Sequence, residues 1–531
     1  MNYNRIATPN RLQVVLLTSL LIGVFFRFAN LDRKLYWFDE VINTIYSSGY
    51  TKVEWQQQVK AWNGQQLSIK DLQKYQFIKD GSNSFDVIKA VAIEEPQNPP
   101  LYYLLSRWWV QVFGNSVVNR RSLSAFLSLL GFPCIYWLCL ELFNSKLTAW
   151  IAIALLAVSP FHILYAQEVR MYAAWTVTIL LSSAAFLWAI RLNDKLQWVT
   201  YTVTLILGFY TFPFSILVAI GHGIYIAIIE KLRFTKTSIS YLLASLAAIV
   251  TFSPWIIFII ANSHKMGKWR EVKITFLDLT RKWVTNLARG FIYIPNETNK
   301  LINIIFILAS LILLITVLYS FYFLCRHTQK QVWLLIFNLA GITALTLILP
   351  DLILGGQRSI VAKYLIPSYL GILLAVAYLL ATQILQANLW QRQIGQALTF
   401  VLITSGLFSS AISFQDRCDF NKKFSCDNLP VASRINKSTR PLLIGNSSLL
   451  NSVHILSLSY LLHPQATIMF VVPPDIPKIT ESFSDIFVYS HNKSLLEGLE
   501  KELDYKIEPQ YKLEPMYQSA ILKLDKLTLI N

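Results

Sequence analysis

Eleven apolar stretches run through this chain, each close to the roughly 20 residues an α-helix needs to cross a hydrocarbon slab about 30 Å thick. They fall near residues 12–31, 120–143, 147–166, 171–191, 197–212, 213–230, 238–262, 301–325, 331–350, 364–385 and 395–414. Such a chain folds in lipid, because only helices or closed barrels satisfy backbone N–H and C=O groups there. Composition agrees: 54% of the 531 residues are hydrophobic and 15% are charged, a share too low for a water-soluble domain. The pair 197–212 and 213–230 is interrupted only by YTFPF, Tyr210 to Phe214, and reads either as two spans or as a re-entrant hairpin.

The net charge of +17 could point to nucleic acid, but no basic run of five or more residues occurs, so no nucleic-acid partner is expected. With a cytoplasmic N-terminus, the short inner loops collect Arg5, Arg11, Lys146, Arg191, Lys231, Arg233 and Arg392, as the positive-inside rule requires. The first apolar block lacks a small-residue cleavage pattern before Arg27 and reads as a retained signal anchor. Three long segments, 32–119, 263–300 and 415–531, then fall on the outer face of a multi-pass plasma (inner) membrane protein. Within the first, Pro99 and Pro100 open LYYLLSRWWVQVF, an aromatic helix suited to the interface, with Trp108 and Trp109 at headgroup depth.

After residue 415 the pattern changes. RPLLIGNSS, ATIMFVVPP and SDIFVYS read as strands and SLLEGLEKEL as a helix, so 416–531 is expected as a small soluble α/β domain on the periplasmic or extracellular side. Residues 1–415 are expected as the transmembrane domain, with 32–119 as its first outer loop carrying juxtamembrane helices. Cys134, Cys139 and Cys325 lie within apolar blocks and act as small hydrophobes; Cys418 and Cys426, eight positions apart in a polar stretch, can pair if that stretch is in an oxidising compartment.

Four polar clusters stand out. Asp39-Glu40 in LYWFDEVIN places two carboxylates beside Trp37 and Phe38 directly after the first span, where charge is costly unless it has a task or is simply solvated at an aromatic belt. Arg120 and Arg121 open the second span; an arginine fork suits phosphate, and headgroup snorkelling is the plainer reading. SPFHILYAQEVRMYAAW packs His162, Gln167, Glu168, Arg170 and Tyr172 into a short outer turn, as a cavity-facing site or a Glu168–Arg170 structural pair would. His162 has no second histidine at ligand spacing, so it reads as a hydrogen-bonding residue and not a metal ligand. GGQRSIVAKYLIP brings Arg358, Lys363 and Tyr364 to an outer helix mouth, against the positive-inside trend. No Walker loop, GxSxG, HExxH or paired CxxC is present.

The order of these motifs resembles the GT-C glycosyltransferases related to the protein O-mannosyltransferases and the lipid A aminoarabinose transferases: Asp-Glu after span one, a Pro-Pro-Leu-Tyr entry helix, an arginine opening span two, and QEVRMY after span three. The resemblance covers about residues 10–385. It implies an all-α GT-C membrane fold and an inverting hexosyl- or pentosyltransferase of the cell envelope. The donor would be a polyprenyl-phosphate sugar; the acceptor a lipid, polysaccharide or protein; and no metal or other obligatory cofactor would be needed. By this resemblance Asp39 is the catalytic carboxylate, Glu40 its partner, and Arg121 the following arginine. Glu168, Arg170, Tyr172, Arg358, Lys363, Tyr364 and Asn98 would bind substrate or phosphate. Asn98 replaces a Lys or His frequent in relatives, and Lys363 replaces an Arg. A carboxylate can take the acceptor proton while fixed cations stabilise the departing phosphate in a water-poor site. The competing readings are a lipid-linked-sugar transporter, which would bury charges mid-span and show a pseudo-repeat, and a non-catalytic scaffold, which would leave these motifs idle.

Overall fold

The computed structural model describes residues 10–265, 272–295, 300–479, 483–490, 493–502, 505–512 and 523–529. The chain divides into two compact units, one made of 1–31, 95–102 and 118–417, the other of 32–94, 103–117 and 418–531.

The first unit is a helical bundle. Eight of its described helices are long and apolar enough to span a membrane, and a ninth span is possible if the bent pair Lys146–Val158 and Pro160–Ala166 counts as one. The stretch 197–230 resolves into two separate helices, Lys195–Thr211 and Ser215–Ile229. At 17 and 15 residues they are shorter than a straight crossing of the bilayer needs. All eleven apolar stretches are therefore helical, and the span count falls because three of them are short or broken. The windows within Tyr172–Leu192 and Ala362–Ile384 are 78% and 83% buried, so these helices sit at the centre, whereas Lys300–His327 is 17% buried and presents Leu301, Ile304, Leu308 and Ile312 outward, as a lipid-facing helix does.

The 62° bend between Lys146–Val158 and Pro160–Ala166 has an identifiable cause. Pro160 has no N–H for the carbonyl of Leu156, so the last turn of the preceding helix loses its partners. Arg27 supplies them, donating to the carbonyls of Leu156 and Ala157 at 2.9 and 2.6 Å. Ser410 Oγ donates to the carbonyl of Val158 at 3.3 Å. Two glycines let the flanking helices come this close: a Cβ on Gly23 would meet Ala157 O at 2.4 Å, and one on Gly406 would meet Val158 Cγ2 at 2.6 Å.

The second unit is a mixed sheet with helices. Its strands are β1 (Leu67–Ser68), β2 (Pro441–Asn446), β3 (Thr467–Val471), β4 (Asp485–Tyr489), β5 (Tyr505–Lys512) and β6 (Lys523–Leu529), in the order β1-β3-β2-β4-β6-β5. β2 runs parallel to β3 and β4, and the other pairs are antiparallel. β2, β3 and β4 are the three strands expected from sequence, and their near-continuous apolar runs fit strands covered on both faces. Helix Lys493–Glu502 follows as expected; helix Leu449–Leu458, wholly buried from Asn451 to Leu458, was hidden in an apolar run.

Sequence patterning groups 32–119 with the spans, yet most of that segment builds the sheet unit. Leu67 pairs with Ile468 and Ser68 with Thr467. Trp55 Nε1 donates to Ser452 Oγ at 3.0 Å, and Ser457 Oγ donates to the carbonyl of Tyr36 at 2.6 Å. Two residues of strand pairing carry too weak a periodic signal to be read along the chain.

Candidate functional site

The acidic pair stands at the start of helix Phe38–Ser47 in the sheet unit. The preceding residue, Trp37, is extended, so Asp39 and Glu40 occupy the first turn, where backbone N–H groups favour negative charge. Their environments differ. Asp39 is half-buried, while Glu40 is fully buried. The Glu40 carboxylate accepts a long hydrogen bond from Trp37 N–H at 3.5 Å and lies 3.6 Å from Lys422 Nζ, itself fully buried. Lys422 also donates to the carbonyl of Leu35 at 3.2 Å. One carboxylate is thus fixed inside the fold, and its neighbour is left nearer the surface.

Beside it, Lys34 donates to both Asp419 oxygens at 2.9 and 2.8 Å, a buried ion pair, and Cys418 is disulfide-bonded to Cys426. Leu35, Trp37 and Cys418 form a small apolar core with Phe38, Cys426 and Leu429 against it. His454 lies under Phe38, ring centroids 5.2 Å apart, and burial pushes its imidazole down to about 3.

In the helical unit, residues from three distant stretches converge on one tyrosine. The Arg170 guanidinium lies 5.7 Å from the Tyr172 ring centre, and Lys363 Nζ lies 5.3 Å from the same ring. Phe212 packs edge-on to Tyr172 at 5.9 Å and stacks on Tyr364 at 6.0 Å; Phe214 completes the cluster at 5.3 Å from Tyr364. The YTFPF turn is therefore the aromatic wall that brings the QEVRMY and AKYLIP segments together. Two cations over one ring are each attracted by its negative face.

The other expected residues have protein partners of their own. Arg121 is fully buried and donates to the carbonyl of Leu31 at 2.6 Å, closing the end of the first helix. Arg358 is held by Asp351 at 3.1 Å, whose second oxygen accepts from Ser359 N–H and Oγ, both at 2.7 Å. Asn98 Nδ2 donates to Glu95 at 3.3 Å. Glu168 is buried, and its carbonyl accepts from Arg170 N–H at 2.8 Å, while Gln167 caps the first helix by donating to Phe26 and Ala29 carbonyls. His162 Nδ1 lies 3.0 Å from Ser159 Oγ, in a small pocket also lined by Arg27, Tyr165 and Thr176. Among the described residues, no three His, Cys, Asp or Glu side chains gather as a metal site. Sequence reasoning missed Lys34, Asp419 and Lys422; the signal available was the run of charges enclosed between Cys418 and Cys426.

The sequence model of the family described as dolichyl-phosphate-mannose-protein mannosyltransferase matches residues 97–258. Among solved structures the chain is similar to ArnT from Cupriavidus metallidurans bound to undecaprenyl phosphate, at 13% identity, with 98% of each chain covered and a TM-score of 0.50. The chain resembles the GT-C glycosyltransferases and carries their fold. AglB from Archaeoglobus fulgidus, in complex with an inhibitory peptide and a dolichol-phosphate, is more distantly alike, at 12% identity over 87% of this chain and 64% of that one, with a TM-score of 0.46. The protein O-mannosyltransferase Pmt1-Pmt2 complex of S. cerevisiae, bound to the sugar donor, follows at 11%, 55%, 38% and 0.30. A comparison with curated proteins finds no match. Of the expected site, Asn98, Arg121, Glu168, Arg170 and Tyr172 lie within the family-matched stretch, and Asp39, Glu40, Arg358, Lys363 and Tyr364 lie outside it.

Proposed function

We propose that this GT-C chain is an inverting glycosyltransferase that moves a hexosyl or pentosyl group from a polyprenyl-phosphate donor to a lipid, polysaccharide or protein acceptor at the outer face of the membrane. The observation that carries the reading is the gathering of Arg170 and Lys363, far apart in the sequence, on Tyr172. Cations held beside an aromatic wall suit a phosphate attached to an apolar tail, and they stabilise the charge that grows on it as the sugar leaves. The undecaprenyl phosphate of the ArnT complex is a ligand of that kind and supports the choice of donor class.

Asp39 is the general base of this reading, taking the proton of the acceptor hydroxyl, and Glu40 is its fixed neighbour. Removing a general base costs about 10²- to 10⁴-fold in rate. In a strain lacking the gene, wild-type protein clears the accumulated lipid-linked sugar, and Asp39→Asn leaves it accumulated while the variant protein remains folded in the membrane. Clearance by Asp39→Asn at the wild-type rate would defeat the assignment.

A further inference from the structure

The disulfide between Cys418 and Cys426 closes a short ring that contains Asp419, Lys422 and Ser425. Each of these three side chains takes its partner from the stretch that carries the acidic pair. Asp419 accepts two hydrogen bonds from Lys34, at 2.9 and 2.8 Å. Lys422 reaches the carbonyl of Leu35 at 3.2 Å and the Glu40 carboxylate at 3.6 Å. Ser425 Oγ accepts from Phe38 N–H at 3.3 Å. The ring itself packs on Leu35 and Trp37 through Cys418.

We infer that this ring is a clasp that positions the Asp39–Glu40 segment, with Lys422 the positioning residue for Glu40. The inference rests on the functional reading of Asp39 given above and deepens it by separating the roles of the two acids. Glu40 and Lys422 have no exposed side-chain surface, so each buried charge is stabilised by the other. Glu40 also accepts the long hydrogen bond of Trp37 N–H, while Ser425 accepts that of Phe38 N–H, so two of the helix's leading donors are held. Asp39 follows them. The N–H groups just before it are thereby held by a ring more than 370 residues further along the chain, which positions its carboxylate. A ring closed by a covalent bond holds three such contacts at once, because its own residues have little entropy left to lose.

The full-length protein in lipid nanodiscs tests the clasp without any substrate, through hydrogen–deuterium exchange at residues 34–47. Lys422→Met is expected to raise exchange there by about tenfold, while β2, β3 and β4 keep theirs within about twofold. Cys418→Ser/Cys426→Ser is expected to do the same; should that double variant fail to fold, Lys422→Met still decides. Lys422→Arg, which keeps the charge, restores protection and clears lipid-linked sugar in the deletion strain, whereas Lys422→Met leaves it accumulated. Unchanged exchange at 34–47, or exchange raised equally throughout the sheet as a mere fold staple would give, overturns the clasp. Normal clearance by Asp39→Asn overturns the functional reading alone, so the two failures are told apart.

Discussion

The imidazole of His454 shows how a single buried group makes acidity a threat to the sheet unit. Its folded value lies near 3 against an ordinary 6.5, because burial disfavours the charged ring. Between those values the unfolded chain binds a proton that the folded chain refuses, so stability is present above about pH 6.5 and falls as the pH drops toward 3. The slope is at most about 1.4 kcal/mol per pH unit. Amide exchange of helix Leu449–Leu458, followed from pH 7 to pH 4, is expected to show this decline in the wild type and a flatter one in His454→Gln; equal slopes would refute it. Asp71 contributes in the same direction: the Ser68 hydroxyl, donating at 2.7 Å, holds its carboxyl below the usual range, so that bond too weakens on acidification. At this scale the sequence shows residue types well and partners poorly. Asp39, Glu40, Arg170, Tyr172 and Lys363 are visible because charge beside apolar blocks is rare. That Arg358 would be tied to Asp351 and Arg121 to the carbonyl of Leu31 is not visible, since both are long-range geometric facts.

Helices and strands were legible wherever one periodicity persists long enough. Each apolar stretch is helical, and three strands stand where β-branched and aromatic runs predict them. What escaped is the break at Ser159, although Pro160 announces it, and the adhesion of three helices there. Arg27, Ser410, Gly23 and Gly406 hold that break from two sides, and in lipid no water can replace the carbonyl partners they provide. Gly406→Leu is expected to push helix Leu389–Gln415 away from Val158 and to cost about 2–4 kcal/mol by overpacking and lost carbonyl contacts. Thermal unfolding of detergent-solubilised protein, read by the loss of the monodisperse peak in size-exclusion chromatography, should show a lower midpoint. Gly341→Ala, where a Cβ meets nothing within 4 Å, serves as the tolerated control. A midpoint unchanged in Gly406→Leu would show that the close approach contributes nothing.

For the molecule as a whole, sidedness is a prediction with two independent grounds: the positive-inside rule would put the basic short loops in the cytoplasm, and the Cys418–Cys426 bond would form in an oxidising compartment. In a background where the native free cysteines are replaced, Phe234→Cys, 82% exposed, is expected to react with an impermeant maleimide only after the membrane is opened. Phe77→Cys, 54% exposed, should react in intact cells; the reverse pattern would invert the topology and remove the acidic pair from the outer face. The loss of apolar density after residue 415 is visible in the sequence, whereas the grouping of residues 32–94 with the sheet unit is not, because β1 is too short to declare itself. That partnership sets a timetable for biogenesis. Residues 32–94 leave the ribosome long before Cys418, and at about 5–20 residues per second the nascent loop waits roughly a quarter of a minute to a minute for the chain that completes it. Through that interval Trp55 and Leu67, buried in the finished protein, lack the partners that the later chain supplies, so insertion of this protein is expected to need a holdase or the translocon itself to shield them until translation ends.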